Sequence, residues 1–219
     1  MKISVFIPIL LYSDDLKDMT VRCIRQAREN TSIPFELILL ENKTWEFKDD
    51  ADIYIHTDDY NHYSRNANIC RGAAYNSDYV VGMGNDAFMP IDWLEALLEC
   101  YDKVDCGFAT LNSSEHNLPC SNDIIESTGG AVFMESRKFI DKVGDWDEGY
   151  INSFEDADLW IRGLMQGYRV YKNMRVLVEH LGGQTWKCQQ SHNDNFNKNR
   201  KRFNDKFRGC KYPLFTKLR

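Results

Sequence analysis

The hydrophobic pattern of the N-terminal segment changes from a continuous run to a helical period. Residues 3–11 are almost entirely apolar, with Pro8 near the end of the run, as is typical of a central strand buried on both faces. Ser13 or Asp14 then precedes a set of apolar residues spaced three or four apart: Leu16, Met19, Cys23 and Ala27. Because Ser and Asp favour the N-cap position, this pattern predicts a strand followed by a capped helix.

The same alternation continues through the rest of the chain. Apolar runs predict further strands at residues 35–40, 52–56, 78–83, 106–111, 129–134, 168–171 and 176–179. Small-residue or helical spacing predicts helices at residues 66–75, 91–101, 136–143 and 154–166. Strands that alternate with helices favour an α/β fold with a mixed, mainly parallel sheet flanked by helices. Such sheets bind ligands beyond the carboxyl ends of their strands.

Length and composition favour one globular domain. The chain has 219 residues, 43% of them hydrophobic, and its longest apolar run is far shorter than the roughly 20 residues of a membrane-spanning helix. We therefore expect no integral membrane segment, and the absence of a signal-peptide pattern predicts a cytoplasmic location. The seven cysteines are an odd number without CxxC spacing, which favours reduced thiols.

The net charge of −6 is unevenly distributed. Residues 197–219 contain nine Lys or Arg and one Asp, so they carry +8, whereas the preceding residues carry −14. We therefore predict a catalytic domain at residues 1–196 and a basic C-terminal tail at residues 197–219. Two interpretations remain open for the tail: it contacts an anionic partner, or it docks on the acidic body of its own chain.

Asp86 is the first candidate for functional chemistry. It follows the strand predicted at residues 78–83, and Gly82 and Gly84 before it would let a diphosphate approach the backbone closely. A carboxylate at this point fits Mg²⁺ or Mn²⁺, since these ions prefer oxygen ligands and bridge phosphates. The alternative is a purely structural turn, in which Asn85 or Asp86 caps the next helix.

A second acidic cluster begins the helix predicted at residues 154–166. Glu155, Asp156 and Asp158 fall in its first turn, where the helix dipole favours negative charge. Three acids in four residues exceed what capping needs, so one of them is a candidate general base. His180 follows the last predicted strand, and it is either a ligand or a structural histidine.

These features occur in an order that resembles the glycosyltransferase family 2 type of the GT-A fold, in the branch of small bacterial and phage enzymes. Four segments between residues 3 and about 183 carry the resemblance: SVFIP at residues 4–8, LLENKT at residues 39–44, NDAFMPIDWL at residues 85–94, and an acceptor half. The acceptor half consists of GGA at residues 129–131, VGDWDE at residues 143–148 and FEDADL at residues 154–159, and it ends with His180.

The resemblance implies a GT-A (nucleotide-diphospho-sugar transferase) fold with a nucleotide-sugar half at residues 1–111 and an acceptor half at residues 112–196. It implies metal-assisted transfer of a sugar from a UDP-, GDP- or dTDP-linked donor to a hydroxyl, with inversion at the anomeric carbon. Mn²⁺ or Mg²⁺ would be held by Asp86 and His180, and the base would be Asp156 or Glu155. The matching donor-binding positions are Pro8, Glu41, Asn42, Asn68, Asn85 and Asp86.

The acceptor half matches the family at Gly130, Trp146 and Asp147. Trp146 either stacks on a sugar face or belongs to the core. The polar stretch at residues 112–127 is long enough to be a functional loop. The acceptor itself stays open between a saccharide, a lipid-linked molecule, a protein and a nucleic acid such as the modified DNA of a phage.

The chain departs from the family at Gly84, which stands where the first acid of the metal motif is usual. This departure keeps a catalytically silent nucleotide- or sugar-binding module as an alternative. A nucleotidyltransferase is a second alternative, but residues 9–13 lack the glycine-rich, basic phosphate loop expected after its first strand.

Overall fold

A computed structural model describes residues 1–11, 13–58, 62–114, 122–127, 129–182 and 192–210. In these ranges the chain forms nine strands and six α-helices, with short 3-10 turns at Lys48–Asp50 and Cys100–Asp102. The strands are β1 (Ile3–Leu10), β2 (Glu36–Asn42), β3 (Ile53–Thr57), β4 (Tyr79–Met83), β5 (Ala87–Phe88), β6 (Cys106–Ser113), β7 (Ile124–Glu126), β8 (Val132–Ser136) and β9 (Arg169–His180). The helices are α1 (Asp14–Glu29), α2 (Tyr63–Ala73), α3 (Trp93–Glu99), α4 (Arg137–Val143), α5 (Glu155–Met165) and α6 (His192–Lys206).

One sheet runs through the described part of the chain, in the order β3-β2-β1-β4-β8-β6-β9-β5, with β7 also paired to β9. The neighbouring pairs among β1 to β4 are parallel, and β6 is parallel to β9. Strand β8 is antiparallel to both β4 and β6, so the long strands other than β8 all point the same way. The predicted mixed, mainly parallel sheet is confirmed.

Helices cover both faces of the sheet because its central strands are apolar on both sides. On one face, α1 and α3 pack on β1, with Cys23, Trp93 and Val5 in one cluster. On the other face, α2, α4 and α5 form a second cluster in which Phe6 of β1 is fully buried. The predicted boundary between residues 111 and 112 falls inside β6, so both predicted halves share this sheet.

Strands β5, β7 and β9 and helix α3 differ from the sequence prediction. The two short strands predicted near the C-terminus are one strand, β9, whose register shifts opposite Leu111 and Asn112 of β6. Strands β5 and β7 were not predicted, and β7 lies inside the polar stretch expected to be a loop. Helix α3 begins at Trp93 because Asp92 adopts a left-handed conformation (φ 60°), which leaves Ile91 outside the helix and 72% exposed.

The basic C-terminal segment docks on the chain itself over its described part. Helix α6 begins at His192, before the predicted boundary at residue 197, and continues to Lys206. Lys206 lies 2.8 Å from a carboxylate oxygen of Asp147 and 2.5 Å from one of Asp158. The docking interpretation is therefore confirmed for this helix, whereas residues 211–219 lie outside the described part.

The structure bears on two expectations from the sequence: the lack of a membrane-spanning helix and the reduced state of the cysteines. Within the described ranges, no helix is both long and apolar enough to cross a membrane. Five cysteines are free thiols there, Cys23, Cys70, Cys100, Cys106 and Cys210, while Cys120 and Cys188 lie outside the described residues. The cytoplasmic location stays a prediction.

Candidate active site

The carboxyl ends of the parallel strands meet at one edge of the sheet, and most of the predicted site residues lie there. Asn42 ends β2, Asp86 follows β4, and His180 ends β9. Gly130 lies two residues before β8, whose antiparallel direction brings its first residue to the same edge. This edge is where open α/β sheets bind their ligands.

Asp86 and His180 are in direct contact. The Oδ1 atom of Asp86 lies 3.2 Å from Nε2 of His180, and their side chains are 10% and 17% exposed. Strand β5 causes the contact, because Ala87 pairs with His180 and the Leu181 amide donates to the Asp86 carbonyl at 3.2 Å. The Ser114 hydroxyl also bonds both the amide (2.9 Å) and the carbonyl (3.1 Å) of His180.

The spacing of these two side chains fits a divalent ion. Two cis ligands of an octahedral Mg²⁺, each at 2.0–2.1 Å, are about 3 Å apart, close to the separation of the carboxylate oxygen and the imidazole nitrogen. Within the described residues, no cluster of three or more His, Cys, Asp or Glu forms a metal site. Asp86 and His180 would thus supply two positions and leave the others to water and donor oxygens.

Gly84 keeps the space beside this pair open. A Cβ atom built on Gly84 would lie 2.8 Å from Oδ1 of Asp86 and 4.0 Å from Nε2 of His180. A side chain at this position would therefore move the Asp86 carboxylate. The departure from the family motif removes one acid, but it also gives the remaining carboxylate its present position.

The backbone around Asp86 is braced by helix α1. Arg22 lies 3.7 Å above the Phe88 ring and forms a 2.5 Å ion pair with Glu179, so it joins the two strands that bring Asp86 and His180 together. Asn85 turns away from the sheet edge, since its side-chain amide donates to the Thr20 hydroxyl at 3.0 Å and it is 5% exposed. Donor binding by the Asn85 side chain has no support from these contacts.

Glu41 holds the loop after β2 rather than presenting a free carboxylate. Its buried carboxylate accepts from the backbone amides of Glu46 (3.0 Å) and Phe47 (3.2 Å), from the Tyr54 hydroxyl (2.9 Å) and from the Thr44 hydroxyl. Burial opposes ionisation, but these donors outweigh it and lower the pKa of Glu41 below its ordinary value. Its contacts give Glu41 a role in shaping the predicted nucleotide loop.

Asn42 and Asn68, two further predicted donor-binding residues, use their own side-chain amides in hydrogen bonds within the chain. Asn42 is buried, donates to the Thr57 hydroxyl and accepts from the Asn66 amide at 2.9 Å. Asn68 contacts the acceptor half instead: it donates to the Trp146 carbonyl (3.0 Å) and accepts from the Trp146 amide (2.9 Å). Asn66 is therefore the α2 asparagine that contacts Asn42, whereas Asn68, the predicted donor-binding residue of α2, contacts Trp146. Pro8 pairs with Leu40 near the same strand ends.

The acidic cluster starts helix α5 at the same edge of the sheet. The turn before it bonds to the start of α2, where the Tyr63 amide donates to Asn152 at 3.3 Å. Asn152 (φ 54°) and Phe154 (φ 68°) both adopt left-handed conformations that cost energy for residues other than glycine. Such backbone strain is common at functional sites, and here it directly precedes Glu155.

Glu155 and Asp156 differ in their surroundings. Desolvation by burial and the adjacent charge of Asp156 raise the pKa of Glu155 to about 8. The Oε2 atom of Glu155 is buried and has no hydrogen-bond partner among the described residues. Asp156 accepts from the Ala157 amide at 2.7 Å. The pair can therefore carry one proton at neutral pH.

The third acid of the cluster belongs to the interior. Asp158 is fully buried and accepts from Arg162 at 2.6 Å and from the Tyr150 hydroxyl at 3.2 Å. Its 2.5 Å ion pair to Lys206 joins α5 to α6. Asp158 stabilises the fold and is not available to a substrate.

The predicted acceptor residues are not brought together as one surface. Trp146 is 2% exposed and packs against Phe133 (5.2 Å between ring centroids) and Tyr63 (5.6 Å), so the core interpretation of this residue holds and stacking on a sugar does not. Asp147 bonds Arg202 and Lys206 of α6 and the Gly149 amide. Only Gly130, beside Thr110 and the Leu111 carbonyl, remains at the sheet edge.

The chain is similar to known proteins in structure rather than in sequence. No protein-family model and no curated protein sequence matches the chain. Solved structures do match: S. aureus TarS 1-349 (TM-score 0.66, 9% identity, 84% of this chain) and the mannosyltransferase PcManGT from Pyrobaculum calidifontis in complex with GDP-Man and Mn²⁺ (0.70, 14%, 97%). GalNAc-T7 with UDP, GalNAc and Mn²⁺ also matches (0.64, 10%, 82%).

The chain spans 61% of the TarS fragment, 66% of the mannosyltransferase and 43% of GalNAc-T7. At these identities the likeness concerns the fold. All three are GT-A glycosyltransferases, and their folds match this chain over 82–97% of its length. The chain has the GT-A fold.

Proposed function

We propose that this chain is a metal-assisted glycosyltransferase that moves a sugar from a nucleoside-diphosphate donor to a hydroxyl acceptor. The observation that carries the proposal is the Asp86–His180 pair at 3.2 Å, at the same sheet edge as Glu155 and Asp156 in a GT-A fold. Two of the similar structures hold Mn²⁺, one with GDP-Man and one with UDP, which supports this donor class.

The donor would lie across the carboxyl ends of β1 to β4. The loop shaped by Glu41 and the buried Asn42–Asn66 pair would face the nucleotide, and Asp86 and His180 would hold Mn²⁺ or Mg²⁺ near the diphosphate. When bound, the ion neutralises negative charge that develops on the leaving diphosphate. Gly84 leaves room for diphosphate oxygens beside Asp86.

Asp156 is the proposed general base. It takes the proton of the acceptor hydroxyl as that oxygen bonds to the anomeric carbon, while the bond from this carbon to the diphosphate oxygen breaks and its electron pair leaves with the diphosphate. Attack from the side opposite the leaving group inverts the anomeric carbon. Glu155, whose pKa is raised to about 8, stays protonated near neutral pH, so it adds no second negative charge beside the base.

The exposed basic residues of α6 favour an anionic acceptor. Arg202 and Lys206 neutralise Asp147, but Lys198, Arg200 and Lys201 of the same helix are exposed. A nucleic acid or a phosphate-bearing lipid-linked molecule would match this surface, and nucleic-acid binding would weaken steeply with added salt. A neutral saccharide or a protein hydroxyl remains the alternative.

The test is transfer or hydrolysis from a panel of UDP-, GDP- and dTDP-sugars with Mn²⁺. We expect turnover with at least one donor, and losses of at least about 100-fold in Asp86→Asn and Asp156→Asn. Asp141→Asn is the matched control, because Asp141 is an exposed carboxylate of α4 paired only loosely with Arg137. A donor that raises the melting temperature without any turnover would favour the silent binding module instead.

A further inference from the structure

Helix α6 holds the strained turn that precedes the base-bearing helix α5. Asn199 of α6 is 3% exposed, and its side-chain amide donates to the carbonyls of Ile151 and Ser153, both at 3.0 Å, and to the Ser153 hydroxyl at 2.8 Å. Its side-chain oxygen accepts from the Ile151 amide at 3.3 Å. The two N–H groups of Asn199 are shared among three acceptors, so this one side chain contacts four polar groups of a three-residue segment.

Aromatic contacts fix the next residue of this turn. Phe154 lies between two rings of α6, with centroid distances of 5.2 Å to Phe196 and 5.4 Å to Phe203. Phe154 is also the residue whose left-handed conformation begins α5, immediately before Glu155. The contacts therefore offset the cost of a conformation that a phenylalanine rarely adopts.

Charged contacts fix both flanks of the same segment. Arg202 bonds both carboxylate oxygens of Asp147, at 2.8 and 3.0 Å, and Lys206 reaches Asp147 on one side and Asp158 on the other. Gly149 leaves the space for this arrangement, since a Cβ there would lie 2.4 Å from Cζ of Arg202. Helix α6 is therefore attached to the chain before and after the turn.

We propose that Asn199 is a positioning residue for glycosyl transfer: it holds the turn at residues 151–154 so that Asp156 faces the acceptor hydroxyl. The inference rests on the proposed function and adds a role for the basic segment that is independent of any anionic partner. Asn199 touches no reacting atom, and its effect passes through the backbone of Ile151 and Ser153. Small misplacement of a base is costly, because proton transfer needs hydrogen-bond geometry.

The experiment compares Asn199→Ala with Asn197→Ala, a control on the exposed side of the same helix whose side chain accepts from Arg200. In Asn199→Ala we expect kcat to fall about 10- to 100-fold while the KM for the donor stays within about twofold. A residue needed only for stability would lower the melting temperature and leave the kcat of the folded fraction unchanged. An unchanged kcat in folded Asn199→Ala would overturn the proposal.

Backbone hydrogen exchange supplies a second readout that needs no activity. In Asn199→Ala the Ile151 amide loses its acceptor, so its exchange should accelerate together with that of the first turn of α5. In Asn199→Asp the acceptor remains and the donors are lost, so Ile151 should stay more protected than in the alanine variant. If the amides of Asn199→Ala exchanged like those of Asn197→Ala, the proposed hold of Asn199 on the turn at residues 151–154 would be refuted. If Asn199→Ala showed the expected exchange changes but the wild-type protein had no transferase activity, only the proposed function would be refuted.

Discussion

Asp156 lies next to Glu155 at the start of α5, and its charge adds to desolvation in raising the pKa of Glu155 to about 8. Because the folded-state pKa exceeds the ordinary value of 4.5, the folded protein binds this proton more tightly than the unfolded chain. The resulting stability is fully present below about pH 4.5 and is lost as the pH rises through about 8.

This linkage predicts the effect of Glu155→Gln, which removes the titration. The difference in melting temperature between wild type and variant should change steadily from pH 4.5 to pH 8.5, with the wild type losing stability relative to the variant. Thermal unfolding across this range measures it. Glu29→Gln, on the exposed side of α1, is the control, and its melting temperature should follow the same pH dependence as that of wild type. If the melting temperature of Glu155→Gln also followed the wild-type pH dependence, Glu155 would ionise near its ordinary pKa.

A second prediction concerns the metal pair. His180→Ala and Asp86→Asn each remove one of the two proposed protein ligands, so the Mn²⁺ concentration that half-saturates the thermal shift with nucleotide should rise at least about tenfold. The charge-matched control for Asp86→Asn is Asp102→Asn, an exposed residue after α3. If both ligand variants kept the Mn²⁺ response of wild type, the ion would have to bind elsewhere.

The third prediction tests the space beside Asp86. In Gly84→Ala the new Cβ would lie 2.8 Å from Oδ1 of Asp86, so the carboxylate must move and Mn²⁺ affinity should fall several-fold. Gly72→Ala is a matched control, because nothing lies within 4 Å of its Cβ position in the exposed face of α2. This control should gain about 0.5–1 kcal/mol of stability from helix propensity and leave metal binding unchanged. Equal Mn²⁺ affinity in Gly84→Ala and wild type would show that Asp86 is not crowded.

The fourth prediction concerns the docking of α6. Asp147→Asn weakens the ion pairs to Arg202 and Lys206, and we expect a loss of about 1–3 kcal/mol in the free energy of unfolding, with faster tryptic cleavage within residues 192–206. Asp205→Asn breaks the exposed pair with Arg208 and should cost less than about 1 kcal/mol. Similar cleavage rates in the two variants would argue against this docking.

The ion pairs of Asp147 also make the stability of the fold depend on pH under acid conditions. Burial opposes ionisation of Asp147, but the bonds from Lys206, Gly149 and Arg202 outweigh it and lower its pKa to about 2 from the ordinary 3.8. The stability from this group is present above about pH 3.8 and is lost as the pH falls through about 2. Urea unfolding at pH 4 and pH 2 should show a smaller acid loss in Asp147→Asn than in wild type.

Local patterns in the sequence determined the fold class and the place of the site. The buried run of β1, the helical spacing of α1 and the strand ends at Asn42 and Asp86 follow from backbone periodicity and burial, which short segments express by themselves. The sequence also carries the signal of α6: Asn199, Phe203 and Phe207 recur at intervals of four, and all three are buried along this helix and just after its end.

Only the tertiary structure decided how the polar side chains are used. Glu41, Asn68, Asn85 and Asp147 all resemble ligand-binding residues in sequence, yet their atoms bond to distant parts of the chain. Two-residue β5, too short for its pattern to predict, brings Asp86 to His180, and α6 holds the turn before Asp156. Periodicity reports which face of an element is buried, but hydrogen-bond partners depend on three-dimensional neighbours that local sequence does not specify.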